Sequence, residues 1–464
     1  MEYGILALIP PVLAIGLALV LRNAYVGLIA GTYSVGVITS GWKFIVTIPK
    51  TLESHFTVFE SSFNVCLFID LILVGGLILL IEESGAINGL VDMLANKKGL
   101  IKSKKGSIIF TWLLGIIIFF SDNLSCLMTG AVTKSINEKF NVSKEKMAYV
   151  VHSTSTAVCL LIPIGGWGGY CIGLLGANGV ENANATMFQS IPLNFFCIIV
   201  VLSVPVLALL GKDFGPMKKA ERLAEQKGME NEDSADAGKV KIEGKYAGAS
   251  NAIFPIVLLI VSIVVGIFVT GGGNFFEGEG QLALFYANII TTFATIALYL
   301  KRKLLTFDDV KRILLKGYGS MLPMILLLVM AFTFGSALTT IGTAEFISGV
   351  LTSTMGPSFY PMLVFLMAML ISFPSGTSMG TMAIVSPIVL PTAIGMGASI
   401  PLVAAAIWGG AIFGDQSSPV SDTTMLTCST LEMNPVDHTR TQLPYTIGAA
   451  IISAALYLVF GFIL

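Results

Sequence analysis

Long apolar runs, most of them near 20 residues, alternate with short polar segments along the whole chain. A membrane-spanning helix needs about 20 apolar residues to cross a hydrocarbon core of roughly 30 Å. The pattern therefore predicts about ten full spans. They lie at 3–21, 24–40, 64–84, 146–176, 188–210, 251–270, 281–300, 320–341, 400–430 and 442–464.

Two further apolar stretches, 107–138 and 359–397, are interrupted near the middle by small polar residues. The interruptions are Ser121–Asn123 in the first stretch and Pro374–Ser378 in the second. Because each half is too short for a full crossing on this count, both stretches are predicted to be re-entrant hairpins. The expected fold is an all-α polytopic membrane protein.

Lysine and arginine fall almost entirely in alternate loops. If the spans alternate in direction, 25 of the 27 lie on one side, and only Lys43 and Lys50 lie on the other. Cytoplasmic loops carry an excess of these residues, so the richer side is predicted to be the cytoplasm and both termini are predicted to be outside. The segments expected in the cytoplasm are 97–105, 139–145, 211–250, 301–318 and 432–440.

The two halves repeat one order of elements: a span, a short surface helix, a hairpin and a broken span. Since the hairpins enter from opposite sides, this order predicts two inverted repeats, which are typical of secondary transporters. The predicted divisions are N-terminal scaffold spans in 1–63, a first repeat in 64–210, a solvated cytoplasmic linker in 211–250, scaffold spans and a loop in 251–319, and a second repeat in 320–464. The broken spans are 146–176 and 400–430, and the last span follows the second of them.

Composition supports a membrane protein with little material outside the bilayer. Apolar residues make up 55% of the chain, and Asp, Glu, Lys and Arg only 12%, against about 25% in soluble domains. The formal net charge is −1, which leaves no basic surface for a phosphate backbone and argues against nucleic-acid binding.

Three carboxylates fall inside the predicted breaks: Asp122, Asp415 and Asp422. A carboxylate within a membrane costs about 2.5–3.5 kcal/mol even on lenient insertion scales and is functional by default. An N-cap is the plainer alternative for Asp122 and Asp422. Structural or wetted positions better explain four other polar residues of the spans, which are Asp70, Glu82, Glu83 and His152.

Glycine and proline break the helices and expose carbonyl groups, while nearby hydroxyls and carboxylates add hard oxygen ligands that suit a small cation. Asp122, Asp415, Ser418 and Asp422 are the expected Na⁺ ligands. No cofactor is expected, and Na⁺ and H⁺ are the expected coupling ions.

Several motifs occur in an order that resembles the NhaC-type Na⁺/H⁺ antiporter family. The likeness covers roughly 60–460, and its most specific part is the string GDQSSPVSDTTM after Phe413. The other motifs are FFSDNLSCLMTGAV (119–132), STSTAVCLLIPI (153–164), PSGTSMGTMAIVSPIVLP (374–391) and VDHTRTQLPY (436–445).

The resemblance implies a member of the ion transporter superfamily, with two inverted repeats and a dimeric elevator mechanism. His152 stands where similar proteins often carry an acid. Together, the breaks and the resemblance predict an ion- and substrate-binding set: Asp122, Asn123, Ser125, Ser153, Thr154, Ser375, Gly376, Thr377, Ser378, Asp415, Ser417, Ser418, Pro419, Ser421, Asp422, Thr423 and Thr424.

The leading hypothesis is a Na⁺-coupled secondary transporter of the cytoplasmic membrane, with Na⁺/H⁺ antiport ahead of Na⁺-coupled transport or exchange of an amino acid or carboxylate. Its expected partners are the lipid bilayer, a small cation and a second copy of the chain. The alternative hypothesis adds a small organic solute. An intramembrane protease is a remote alternative because Gly414 precedes Asp415, but the GxGD form is absent. A passive channel fits hairpins from opposite faces less well than alternating access does. No enzymatic activity is expected.

Overall fold

The computed structural model describes residues 3–95, 103–230, 246–273, 280–354 and 356–464, and this part of the chain is built from helices without a β-strand. Eight helices are long and apolar enough to cross a membrane, or up to ten if each of two bent pairs forms one span. The predicted all-α polytopic fold is confirmed.

Helices account for nearly all of the described residues, and short loops join them. In chain order they are α1 (Ile9–Leu21), α2 (Ala24–Thr39), α3 (Phe44–Phe56), α4 (Ser62–Glu83), α5 (Ala86–Ala95), α6 (Lys104–Ile117), α7 (Asp122–Lys139), α8 (Lys144–Ser153), α9 (Thr156–Leu161), α10 (Gly166–Ala177), α11 (Ala183–Ser190), α12 (Phe195–Leu210), α13 (Gly215–Glu230), α14 (Ser250–Thr270), α15 (Gly280–Lys301), α16 (Phe307–Ser320), α17 (Leu322–Thr340), α18 (Thr343–Thr354), α19 (Tyr360–Ser375), α20 (Ser378–Met396), α21 (Ile400–Ser417), α22 (Asp422–Leu431) and α23 (Pro435–Ile463).

Both predicted hairpins are pairs of antiparallel helices. In the first, α6 and α7 are joined by a hydrogen bond from Asn137 Nδ2 to Thr111 Oγ1 at 2.8 Å. In the second, the Tyr360 hydroxyl at the start of α19 donates to the Val389 carbonyl of α20 at 3.2 Å. Each hairpin turns at the polar tip that the sequence indicated.

The legs of the second hairpin are longer than expected. Pro357–Ser375 and Ser378–Met396 have 19 residues each and are apolar enough to cross a membrane. At 1.5 Å per residue each is about 28 Å long, close to the thickness of the core. The expectation that both legs are too short is therefore wrong for this hairpin, and its re-entry stays a prediction that rests on the polar tip.

Both broken spans are interrupted at the glycine and proline residues from which the breaks were predicted. The first consists of α8 and α9, which α10 follows after a bend of 50°. Gly165 in that bend has φ +145°, a conformation that favours glycine. The second break lies between α21 and α22, where Pro419 follows the last turn of α21 and cannot continue it.

Part of the predicted linker 211–250 is packed rather than solvated. The Glu221 carboxylate of α13 accepts a hydrogen bond from the Ser143 backbone nitrogen at 2.8 Å, and Met217 is fully buried. Asp213 pairs with the buried ammonium group of Lys146 at 2.5 Å. One face of the first half of the linker is thus packed, whereas most residues of 211–226 are exposed, and residues 231–245 lie outside the described part.

The segment 432–440, expected to be a cytoplasmic loop, is largely helical and partly buried. Helix α23 begins at Pro435, and His438 in its first turn has no exposed surface. The expected loop 301–318 likewise contains a helix, the charged α16, which continues into the apolar α17 as a helical stretch of 34 residues from Phe307 to Thr340.

Ion pairs join segments that the charge pattern assigned to the same side of the membrane. The Lys134 ammonium group donates to Glu432 at 3.0 Å, and this contact lowers the pKa of the exposed Glu432 carboxyl. Two further ion pairs join such segments, Lys104–Glu221 at 2.8 Å and Lys316–Glu83 at 2.7 Å. These contacts agree with a common side for the segments.

Candidate functional site

Asp415 lies in the last turn of α21, beside the second break, and is 1% exposed. Its carboxylate accepts hydrogen bonds from three hydroxyl groups. Thr156 Oγ1 donates to Oδ2 at 2.7 Å, while Ser421 Oγ and Thr423 Oγ1 donate to Oδ1 at 2.7 and 2.8 Å. All three hydroxyl groups are donors in these contacts, so the carboxylate oxygens act as acceptors throughout.

The Asp415 site is shared by both halves of the chain. Thr156, which begins α9 in the first broken span, is separated from Asp415 by 259 residues. Gln416 Nε2 also reaches back to the His152 carbonyl oxygen at 3.3 Å. The two breaks therefore meet, and neither half alone contains the complete set of donors.

Each hairpin tip contacts the break of its own half. A Cβ added at Gly376, which has φ +65°, would lie 3.0 Å from the Ser421 nitrogen, so glycine is needed both for the turn and for the close approach. A Cβ at Gly165 would lie 3.5 Å from the Phe120 carbonyl oxygen beside the first tip. The two tips and the two breaks thus form one polar centre.

Asp122 and Asp422 lie near this centre without joining its hydrogen bonds. Ser121, rather than Asp122, is the N-cap of α7, and its side chain accepts from the Leu124 nitrogen at 3.3 Å. Asp122 is close enough for its charge to act on those of Asp415 and Asp422. Asp422 is exposed at the start of α22, and its Oδ1 accepts from the Thr423 nitrogen at 3.0 Å.

Other predicted residues of the second break surround Asp415 less directly. Thr424 Oγ1 donates to the Ser418 carbonyl at 3.0 Å. Ser418 Oγ itself accepts from the Val420 nitrogen at 3.4 Å, and Pro419 lies partly exposed in the break. The Ser418 hydroxyl is therefore not directed at the Asp415 carboxylate.

The remaining predicted residues direct their hydroxyls elsewhere or stand at the hairpin tips. Ser417 donates to Thr446 on α23 at 2.8 Å, and the buried Ser153 hydroxyl has no partner. Others donate to nearby carbonyls: Ser125 to Gly115, Thr154 to Val150 and Ser375 to Ile371. Thr377 caps α20, Ser378 is buried as its first residue, and Asn123 is exposed.

A buried pair of histidines extends the hydrogen-bond network away from Asp415. His152 Nε2 lies 2.9 Å from Thr423 Oγ1, and His152 Nδ1 lies 3.0 Å from His438 Nε2. Both rings have no exposed surface. His152 is therefore a buried member of the polar network around the site, and each of its ring nitrogens has a hydrogen-bond partner.

The chemistry of these groups sets the direction of each hydrogen bond. Thr423 has one hydroxyl proton and donates it to Asp415, so His152 Nε2 must be the donor to Thr423. For an uncharged pair, His152 Nδ1 then accepts from His438 Nε2. His438 Nδ1 is left as an acceptor, and it is buried without a partner.

Sequence reasoning missed Thr156 and His438 as site residues. Thr156 lies in the STSTAVCLLIPI motif, and His438 lies in the VDHTRTQLPY motif. Both motifs were read as family signals, and only the contact across the two halves distinguishes these two side chains from their neighbours. A polar residue at the first position after a helix break is the signal that could have identified Thr156.

Comparison with known proteins agrees with this arrangement of breaks and hairpins. The model of the Na⁺/H⁺ antiporter family matches residues 158–462, which include the second hairpin and Asp415. The chain belongs to the Na⁺/H⁺ antiporter family. The NhaC-type resemblance is confirmed, and because this is a family of transporters, the protease alternative is excluded.

Two relatives are similar to the chain in sequence, and one solved structure is similar to it in fold. An uncharacterized protein of Haemophilus influenzae is 27% identical over 98% of this chain and 91% of its own length. The malate-2H⁺/Na⁺-lactate antiporter of Bacillus subtilis is 34% identical over 44% of this chain and 43% of its own. The crystal structure of the Alcanivorax borkumensis YdaH transporter has a similar fold, with a TM-score of 0.57 at 12% identity, covering 90% of this chain and 89% of that one.

Proposed function

We propose that the protein exchanges Na⁺ for H⁺ across the cytoplasmic membrane and that both ions compete for the Asp415 carboxylate. The observation that carries this proposal is the buried carboxylate with hydroxyl groups from both halves of the chain. Hydroxyl oxygens keep free lone pairs while their protons point to Asp415, and these lone pairs are hard ligands for a small cation. A proton on the carboxylate removes the charge that holds the cation, so the two ions exclude each other.

Reconstitution of the purified protein into liposomes with an internal pH-sensitive dye tests this function. With Na⁺ added outside, exchange of external Na⁺ for internal H⁺ raises the internal pH without any organic solute. The alternative is Na⁺-coupled transport or exchange of a small carboxylate or amino acid, and it is favoured by the similarity to the malate-2H⁺/Na⁺-lactate antiporter. A pH change that requires malate, lactate or an amino acid would support the alternative, and no Na⁺-dependent change in either condition would contradict both.

Protons reach Asp415 through the histidine pair in this proposal. A proton taken up at His438 Nδ1 lets His438 Nε2–H pass to His152 Nδ1, His152 Nε2–H to Thr423, and the Thr423 proton to Asp415. One proton enters and one arrives, and the reverse sequence releases it. His438 lies in the first turn of α23, and its neighbour in the chain, Asp437, is exposed, so this end of α23 is where the proposed path would open to solvent.

Glutamine in place of His438 is expected to slow Na⁺-driven proton movement by roughly a hundredfold, the low end of what a positioned proton-transfer group contributes. The amide can still donate to His152 but cannot pass a proton on, so the affinity for Na⁺ should change little. Stopped-flow records from the dye-loaded liposomes measure the rate. His55→Gln on α3 is the matched control, and wild-type proton rates in His438→Gln would contradict the path.

The orientation in the membrane is part of the proposal. The cytoplasm would hold α13 and the ends of the helices that it contacts, and both termini would be outside. A cysteine at the exposed Arg222 position of α13 should resist an impermeant thiol reagent in intact cells, whereas one at the exposed Lys50 position should react. Labelling at position 222 without cell lysis would refute this orientation.

Alternating access is proposed to occur by an elevator movement of the two hairpins and two broken spans as one body. Tight packing across the two halves supports this, since a Cβ added at Gly130 of α7 would lie 2.8 Å from Thr430 Cγ2 of α22. The predicted pair of inverted repeats would fit the same mechanism. Assembly as a homodimer rests on the family resemblance.

A further inference from the structure

A second buried carboxylate lies outside the Asp415 centre. Asp70, in the middle of α4, is 2% exposed, and its Oδ1 accepts a hydrogen bond from Asn288 Nδ2 of α15 at 2.6 Å. Among the residues that the structure describes, no lysine, arginine or histidine side chain forms an ion pair with Asp70. The mechanism proposed above gives this carboxylate no role.

An uncompensated charge at this position is costly. An isolated carboxylate taken out of water is strongly destabilised, and within a membrane it is neutralised by a proton, a bound cation or a cationic partner. One amide hydrogen bond does not supply that compensation. Asp70 therefore requires a proton or a cation that the protein side chains around it do not provide.

The helix that faces Asp70 supplies a row of unused oxygen atoms. Asn288 Oδ1 is buried without a hydrogen-bond partner, and so are the hydroxyl oxygens of Thr291, Thr292 and Thr295. These four residues are at most 4% exposed. Their spacing of three and four places them on adjoining positions along one side of α15. The Asn288 oxygen lies beside the carboxylate, because its own amide nitrogen donates to Asp70.

The Asp70 carboxylate and Asn288 also face the first broken span. The second carboxylate oxygen of Asp70 faces α10, where a Cβ added at Gly169 would lie 3.9 Å from it. On its other side Asn288 is the one polar side chain that lines an otherwise apolar cavity of about 30 Å³, next to Gly165 and Phe120 of the first break and hairpin tip. Asn288 thus connects the Asp70 group to the region that moves in the proposed transport cycle.

We infer that Asp70 and Asn288 Oδ1, together with the hydroxyls of Thr291 and Thr292, form a second Na⁺ site. The donor set is one carboxylate, one amide oxygen and neutral hydroxyls, which suits a hard monovalent cation. This inference rests on the proposed Na⁺/H⁺ exchange and adds a second coupling ion to it. Protonation of Asp70 would empty the site in the same way as protonation of Asp415.

Counting bound ²²Na⁺ per chain on the purified protein tests the second site. The wild type is expected to bind two Na⁺, Asp70→Asn one, Asp415→Asn one, and the double variant none. Asparagine at position 70 can keep a hydrogen bond to Asn288, so the fold should tolerate it. Glu83→Gln, at the partly exposed end of the same helix and away from Asn288, is the matched control, and this variant should bind two Na⁺ ions.

Thermal unfolding separates ion binding from a structural role. If Asp70 binds Na⁺, Asp70→Asn should reduce the rise in Tm that added Na⁺ produces, and Thr291→Val should shift that rise to higher Na⁺ concentration. If Asp70 serves structure alone, the variant would lower Tm in Na⁺-free buffer and leave the Na⁺-induced rise unchanged, which overturns the inference. If Asp70→Asn binds as many Na⁺ ions as the wild type, the second site is refuted and the proposed Na⁺/H⁺ exchange is unaffected. If the wild type binds no Na⁺, both the second site and the proposed function are refuted.

Discussion

Asp415→Asn is expected to abolish Na⁺-dependent proton movement while the protein still folds. The asparagine oxygen can accept from Ser421 and Thr423, and its amide group can donate to Thr156, so the hydrogen bonds across the two halves persist. The charge that holds Na⁺ and the group that takes up H⁺ are both lost. The measurement is the Na⁺-induced pH change in dye-loaded liposomes, which should fall to the level of empty vesicles.

Two comparisons make the Asp415 result specific. Size-exclusion profile and Tm report whether the variant is folded, and Asp422→Asn serves as the matched control because Asp422 is exposed and outside the Asp415 hydrogen bonds. We expect Asp422→Asn to keep Na⁺-dependent exchange at a reduced affinity. Near-normal Na⁺ dependence and an unchanged pH profile in Asp415→Asn would show that the role belongs to another carboxylate, with Asp422 the next candidate.

Gly414→Ala is expected to lower stability and activity together. An added Cβ would lie 2.2 Å from the Ser372 carbonyl carbon and 2.3 Å from the Ser372 Cβ, so α19 and α21 must separate. Overpacking of this kind costs about 1–3 kcal/mol, and more where backbone has to move. Because Asp415 is the next residue, the displacement also disturbs its hydrogen bonds. Yield and Tm in detergent measure the first effect, and the liposome assay measures the second.

Gly448→Ala on α23 is the matched control for Gly414→Ala. No atom lies within 4 Å of a Cβ added at Gly448, and alanine is favoured over glycine in a helix by about 1 kcal/mol. The control should therefore be as stable as the wild type or slightly more stable. Equal melting temperatures for Gly414→Ala and the wild type would contradict the close packing of α19 on α21.

The spans and breaks were predictable because their signals are local. A run of apolar residues predicts a span from its own length, and Gly165 and Pro419 predict a break from their own backbone chemistry. The polar tips at 121–123 and 374–378 are signals of the same kind. Asp415 could be selected as a site residue because a carboxylate within a span has few structural explanations.

The contacts of the site could not be predicted because they join residues far apart in the chain. Nothing near Thr156 distinguishes it from Thr154, yet one donates to Asp415 and the other to a carbonyl of its own helix. The charged residues of α13 and the turn before it predicted a solvated segment, whereas Glu221 and Asp213 contact groups of α8 and the turn before α8. Hydrogen bonds and ion pairs between residues so far apart in the chain depend on the whole fold.

The meeting of the two breaks at Asp415 also governs how the protein must be made. The chain is synthesised from its N-terminus, so α8 and α9 enter the membrane long before α21 and α22 exist. Until then Thr156 and His152 lack the partners that they have in the finished protein, and unpaired polar groups are costly in lipid. During synthesis the first half is therefore in the membrane before its hydrogen-bond partners in the second half are made. A chain that stops before α21 leaves that half permanently unsatisfied, and membrane quality control can recognise it by those exposed polar groups.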